Sequence, residues 1–186
     1  MEIVLTASKR FLPRAIRFFT SHSWLDSAEV SHTSLRLGGE DSNWMVESNQ
    51  HGLVPNFWPR YKDTSNIYTR FEIIGIDEKI LTDTVEEMMA KYLYRSYDYL
   101  GFIGFMFTVI WYWITKNKKK NIFGRQTNFG CSEFVYRFIK RVEVKIGKVL
   151  IRGEYDPETI FPQDILIECR DNTENFKEVT NAAKEN

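Results

Sequence analysis

Cys131 follows Gly130 and opens the run Cys131-Ser132-Glu133-Phe134-Val135-Tyr136-Arg137-Phe138-Ile139. Phe134, Val135, Phe138 and Ile139 lie three, four, seven and eight positions beyond the cysteine, which is the spacing of one apolar helix face. Cys131 stands at the start of that helix and on its inward face, and Gly130 lets the chain turn sharply into it. A thiol in a first helical turn feels unpaired N–H groups and the positive end of the helix dipole, which lower its pKa and favour the thiolate. That is the chemistry of a nucleophile. A buried thiol is also an ordinary core residue, so the distinction rests on whether a base stands beside it.

A nucleophilic thiol needs a group to take or hold its proton, and that group needs an orienting partner. The chain has three histidines. His32 falls in an alternating stretch in which Leu35 and Leu37 point one way and His32, Ser34 and Arg36 the other. A base facing a cleft would sit on that polar side. His22 and His51 fall in polar loops and read as surface residues. Glu47, near the end of the next strand, can accept a hydrogen bond from the imidazole and fix its tautomer. Asn49 and Gln50 could serve the same purpose as neutral groups. Glu133 and Arg137, four apart, read as an ion pair on the helix surface. The histidines show no short metal-ligand spacing, so neither a metal nor another cofactor is expected.

The elements that must position these groups read as a mixed fold. Residues 2–6 form a short apolar strand, and 11–19, with Pro13 near the start, a short helix. A polar loop carrying Trp24 follows. Residues 30–37 and 44–48 make a hairpin around Gly38-Gly39-Glu40-Asp41. Residues 50–66 read as irregular, punctuated by Gly52, Pro55 and Pro59 and anchored by Phe57, Trp58 and Tyr61. A strand is expected at 67–76 and a helix at 84–94, then short strands within 142–151 and at 165–169. The reading gives one domain over residues 1–170 and a polar, fraying tail over 171–186.

Residues 100–115, Leu-Gly-Phe-Ile-Gly-Phe-Met-Phe-Thr-Val-Ile-Trp-Tyr-Trp-Ile-Thr, carry no charge and are followed by Lys116 and Lys118-Lys119-Lys120. The uncharged stretch only reaches the short edge of what a bilayer requires, about 17–25 residues. A helix mostly covered by the domain is the favoured reading, and association with a membrane through this helix the less favoured one. Trp111 and Trp113, two apart, do not share a helix face, which leaves one of them a candidate for exposure.

The 186 residues carry 25 basic and 25 acidic side chains, so net charge gives no electrostatic footprint for nucleic acid. Hydrophobic residues at 43% and aromatics at 15% suffice for a sizeable core. Two cysteines, Cys131 and Cys169, do not make a disulfide framework. No secretory signal pattern opens the chain, and the expected location is cytoplasmic, with a membrane-peripheral placement as the variant.

Five blocks in order resemble the circularly permuted NlpC/P60 group of papain-like cysteine hydrolases, the YiiX and YaeF-like proteins. They are Ile16-Arg17-Phe18-Phe19-Thr20 followed by Val30-Ser31-His32-Thr33-Ser34-Leu35; Val46-Glu47-Ser48 with Gly52-Leu53-Val54; Tyr97-Asp98-Tyr99-Leu100-Gly101; Cys131-Ser132-Glu133-Phe134-Val135; and Phe161-Pro162-Gln163-Asp164-Ile165. Together they span most of residues 12–166. The chain departs from the group in a long insert between Thr20 and Val30 and in lacking a Gly-Asp opening of the first strand. The resemblance implies a papain-like α+β domain, with a short antiparallel sheet packed against helices. It implies Cys131 as nucleophile, His32 as base, Glu47 as orienting acid, and Tyr97 beside the Cys131 backbone N–H as an oxyanion donor. The implied activity is a thiol hydrolase cleaving an amide (peptide, peptidoglycan cross-link or isopeptide) or an ester through an acyl-enzyme. An acyltransferase or thioesterase acting on lipid with the same triad, and a non-catalytic binding protein on the same fold, are the alternatives.

Overall fold

The structure is a computed structural model that describes residues 1–7, 11–21, 28–38, 42–49, 51–64, 66–93, 99–116 and 130–179. Among these, β1 (Glu2–Thr6), β2 (His32–Arg36), β3 (Trp44–Asn49), β4 (Gly52–Phe57), β5 (Ile67–Ile73) and β6 (Phe176–Val179) form one sheet in the order β4-β3-β2-β1-β5-β6. Each neighbouring pair is antiparallel. The helices are α1 (Phe11–Ser21), α2 (Trp58–Thr64), α3 (Glu78–Tyr92), α4 (Tyr99–Thr115), α5 (Cys131–Ile146) and α6 (Pro162–Asp171). This is an α+β architecture with helices packed on a multi-stranded antiparallel sheet.

Residues opposite one another in a ladder face the same side, and the register sorts the sheet into two faces. Ile3 pairs with Leu35 and with Phe71, and this face is covered by α3, α5 and α6 in the main core. Leu81, Val85 and Met88 of α3, Phe134, Phe138 and Ile139 of α5, and Ile165, Leu166 and Cys169 of α6 all lie in it. On the other face Val4 and Met45 meet Trp58 and Tyr61 of α2 in a smaller cluster. With both faces covered, β1 is buried along its whole length.

The second face also holds charge. Glu2 is buried and accepts from Arg36 at 3.2 Å and Arg70 at 3.0 Å, while both guanidinium groups lie over the Trp58 ring. One carboxylate between two arginines, with an indole beneath them, is what permits charge at the centre of a sheet.

Several elements differ from the sequence reading, each for a local reason. Residues 50–66 contain β4 and α2 rather than irregular chain. Gly52 opens β4 at φ +92°, and Pro55 is tolerated because β4 is the edge strand, where a missing N–H leaves no gap in an outer ladder. Pro59 falls in the first turn of α2, where its N–H would have no partner in any case. No strand forms within 142–151. Val142 continues the apolar series of Phe138 and Ile139, and the helix runs on until Gly147 at φ +67° ends it. Residues 165–169 are helical, not extended, because Pro162 stands at the helix start and the Asp164 carboxylate accepts from the Phe161 N–H at 2.7 Å. The stretch assigned to a fraying tail supplies β6 instead, which pairs with β5, and Phe176 is buried in the main core. Residues 180–186 lie outside the described residues.

Among the described side chains of α4, the expectation that the apolar helix is mostly covered does not hold. Gly104 and Val109 of α4 are buried, yet Phe107, Ile110, Trp111, Trp113 and Ile114 are all exposed. Both tryptophans are therefore outside, not one.

Candidate active site

Cys131 is the first residue of α5, immediately after Gly130, whose extended backbone (φ −70°, ψ 161°) turns the chain into the helix. The Glu133 carboxylate reaches back to the Gly130 N–H at 3.3 Å and forward to Arg137 at 2.8 Å, so it closes the first turn and is itself neutralised. Phe134, Val135, Phe138 and Ile139 are wholly buried, which presses α5 onto β2 and brings its N-terminus to the start of that strand. The Ser132 hydroxyl donates to the Ile160 carbonyl at 2.6 Å, fixing the same turn from the other side.

His32 is the first residue of β2. Its Nε2 lies 2.9 Å from Glu47 Oε2, to which Nε2–H donates, and this leaves Nδ1 as the nitrogen available to the neighbouring Cys131 thiol. The β2–β3 register pairs Leu35 with Val46; extended along the strands it sets Ser34 opposite Glu47 and His32 two residues further on, on the same face. A diagonal neighbour of this kind is within reach of an imidazole and a carboxylate. Glu47 Oε1 is held by two amides, Asn49 Nδ2 at 2.7 Å and Asn56 Nδ2 at 3.1 Å, so only Oε2 is left for the histidine.

The start of β2 is braced as firmly as the start of α5. The Gln163 side-chain oxygen accepts from the backbone N–H groups of Glu29 at 2.8 Å and Val30 at 3.4 Å, and Ser31 N–H donates to the Thr6 carbonyl at 2.9 Å. Gln163 lies in the first turn of α6, a few residues after Ile160, which receives the Ser132 hydroxyl. One short segment, Ile160 to Gln163, therefore fixes both the histidine strand and the cysteine helix.

The electrostatics follow from this packing. Burial pushes the Cys131 thiol up, but the charge of His32, a hydrogen bond from its ring and the backbone N–H groups of Thr33 and Ser132 outweigh it, and the thiol pKa lies below its ordinary value. Burial pushes the His32 imidazole down; the Tyr61 oxygen, the charge of Cys131 and the hydrogen bonds to Cys131 and Glu47 outweigh that and hold it well above its ordinary value. Glu47, despite its burial, is lowered by His32, Asn49 and Asn56. All three directions favour a thiolate, an imidazolium and a carboxylate in a row. Cys169 is the opposite case. Burial, and then the nearby Glu168, hold its thiol well above the ordinary range.

Of the residues singled out in the sequence, Cys131, His32 and Glu47 come together. Asn49 reaches Glu47 rather than the imidazole. His51 is exposed, as its loop position suggests. His22, Gln50 and Tyr97 lie outside the described residues. Asn56, Gln163, Ser132 and Tyr61 are the contributors that sequence reasoning missed. Asn56 was hidden by the unrecognised β4, on which it stands opposite Met45 and on the face of Glu47. Among the described residues no group of three or more His, Cys, Asp or Glu is arranged to hold a metal ion. Comparison with protein-family models, with curated proteins and with solved structures gave no match.

Proposed function

We propose that the protein is a cysteine hydrolase of papain-like type, related to the permuted NlpC/P60 group, which cleaves an amide or ester bond through Cys131, His32 and Glu47. One observation carries this reading: an imidazole whose Nε2 lies 2.9 Å from a buried carboxylate stands beside the thiol at the start of α5 and lowers its pKa. The ordered sequence blocks around these residues support it, because they resemble that group at the same three positions.

In this mechanism the Cys131 thiolate attacks the substrate carbonyl carbon, a C–S bond forms, and the carbonyl electron pair moves onto oxygen. The first-turn backbone N–H of Cys131, at the positive end of α5, stabilises that oxyanion in this mechanism. As the tetrahedral species collapses, the bond to the leaving group breaks and His32 passes its proton to the departing nitrogen or oxygen. Neutral His32 then takes a proton from water, which attacks the thioester. The acid is released and the thiolate–imidazolium pair is restored. Glu47 keeps Nε2–H bound, so that Nδ1 always faces sulfur. The substrate classes that fit are peptides, peptidoglycan cross-links, isopeptides and lipid-like acyl esters.

The pKa directions set the pH behaviour expected of this reading. Cys131 must be ionised, so activity rises through its lowered pKa; His32 must be protonated to release the leaving group, so activity falls through its raised pKa. A bell-shaped profile of kcat/KM is expected, together with iodoacetamide labelling of Cys131 at mildly acidic pH, where Cys169 stays unmodified. An activated ester such as p-nitrophenyl acetate should leave one acetyl group on Cys131, detected by intact mass, and none on Cys131→Ala. Equal labelling of both cysteines at every pH, with no acyl adduct, would sink the reading.

A further inference from the structure

We propose that α4 is a membrane-docking helix that lies in the plane of an anionic lipid bilayer, at the boundary between headgroups and acyl chains. The inference is independent of the chemistry of Cys131. Phe107, Ile110, Trp111 and Ile114 fall at positions i, i+3, i+4 and i+7 of α4 and so share one face. Phe107 is 59% exposed, Ile110 41%, Trp111 43% and Ile114 75%, and Trp113 at the margin is 61% exposed. Large side chains of this kind scattered singly over a surface need no explanation, but four on one helix face form an apolar patch of the sort that marks a docking site. Val109, on the opposite side, is buried. Gly104, seven residues before Trp111 on the same face, is buried as well, so the outward side belongs to the part of the helix from Phe107 to Ile114.

Length and charge identify the occupant. At 17 residues α4 is roughly 25 Å long, short of the ~30 Å hydrocarbon core of a bilayer. Among the described residues no helix is long and apolar enough to cross a membrane. A helix lying flat needs only one apolar side, which α4 has. The outward side is rich in aromatics, tryptophan above all, the residues that settle at the headgroup level of membranes. No acidic residue occurs from 99 to 120, and the helix ends at the exposed Lys116, followed in the sequence by Lys118, Lys119 and Lys120. Lysine is depleted from protein–protein interfaces, where arginine takes its place. Next to a bilayer a lysine cluster is the usual complement of anionic headgroups. An apolar aromatic face with a lysine-only flank therefore fits lipid better than a protein partner or a second copy of the chain.

The test is flotation of the full chain with vesicles of pure phosphatidylcholine and with vesicles in which a third of the lipid is phosphatidylserine, each at low and high salt. The parent should float at least about tenfold more with the anionic vesicles, lose most of that binding at high salt, and show a blue shift of tryptophan emission on binding. The double variant Phe107→Ser/Ile114→Ser should lose flotation while keeping the parent's thermal midpoint and its rate of Cys131 alkylation, because both side chains are exposed. Bound protein should be released by alkaline carbonate. Equal flotation of parent and variant would overturn the proposal. So would retention after carbonate, which marks a spanning helix. Absence of flotation, with a dimer in solution that the double variant dissolves, would assign the face to a second copy.

Discussion

α5 and α4 are nearly the same length, 16 and 17 residues, and nearly opposite in how they are used. α5 carries Glu133, Arg137, Lys140, Arg141, Glu143 and Lys145 and still buries Phe134, Val135, Phe138, Ile139 and Val142 completely. α4 carries no charge at all and leaves most of its large described side chains exposed. Burial in this molecule therefore follows the pattern of apolar residues and not their number. The charged residues of α5 leave a single face that can turn inward, so that helix has one stable orientation and can hold a thiol against a histidine. In α4 nothing polar specifies an inward side. The expectation of burial rested on the stretch being short for a bilayer span, and had no periodicity to weigh.

The largest effect expected from this contrast is on stability. Phe138→Ala, which empties a fully buried site in α5, should cost about 3–5 kcal/mol. Ile114→Ala in α4 removes a mostly exposed side chain and should change stability by no more than about 0.5 kcal/mol. Urea denaturation followed by circular dichroism measures both. Comparable losses would mean that α4 is as much a part of the core as α5, and the contrast would be gone.

The brace at the head of α6 comes next. Gln163→Leu removes the acceptor of the Glu29 and Val30 N–H groups and leaves the buried Val30 donor unpaired, at a cost of about 1–3 kcal/mol. The same change loosens the approach of β2 to α5, so the pH at which Cys131 is half alkylated should move up toward that of a free thiol. A stability loss with an unmoved alkylation profile would show that Gln163 supports the fold without positioning His32.

His32→Ala removes both the charge and the hydrogen bond that lower the Cys131 pKa, while the burial that raises it remains. Alkylation at mildly acidic pH should slow on the order of tenfold for each pKa unit regained. Cys169, held up by burial, should stay silent in both proteins while they are folded. Reaction of Cys131 at the parent rate in this variant would separate the thiol from the histidine.

The candidate site was more legible in the sequence than its supports. Cys131, His32 and Glu47 could be picked out as candidates because each sits in a local pattern (a three-four spacing, an alternation, and the end of the paired strand), and the family resemblance supplied their roles. The antiparallel pairing of β2 with β3 and the docking of α5 on the sheet followed from the same patterns. Asn56 and Gln163 could not be read this way, since their roles depend on contacts between segments distant in the chain. Residue 163 meets residues 29 and 30 only once the sheet and α6 have formed. The helices at 58–64 and 162–171 were lost to proline. Taken as a breaker, Pro59 or Pro162 argues against a helix; placed in a first turn, it begins one. β6 was lost because Lys177 and Glu178 give the end of the chain a polar look, while Phe176 alone carries it into the core.

The smallest of these effects, and the one that isolates the carboxylate, is Glu47→Gln. Glu47 accepts on both oxygens, from Asn49 and Asn56 on one and from His32 on the other. A glutamine offers a single acceptor oxygen, so either the amides or the imidazole must give up a partner, and the charge that supports the imidazolium is lost. Because His32 has a raised folded pKa, its contribution to stability is fully present below its unfolded value of about 6.5 and is lost as pH rises through the folded value. Without the carboxylate the folded value falls, so that loss begins at a lower pH. The basic limb of the kcat/KM profile should shift in the same direction. Cys131 and His32 still face each other, so alkylation at mildly acidic pH should slow less than in His32→Ala. Urea midpoints from pH 5 to 9, with the alkylation rates alongside, measure both. If the basic limb stays where it is, Glu47 merely fills space beside the ring, and the lowered thiol pKa belongs to His32 and the first turn of α5 alone.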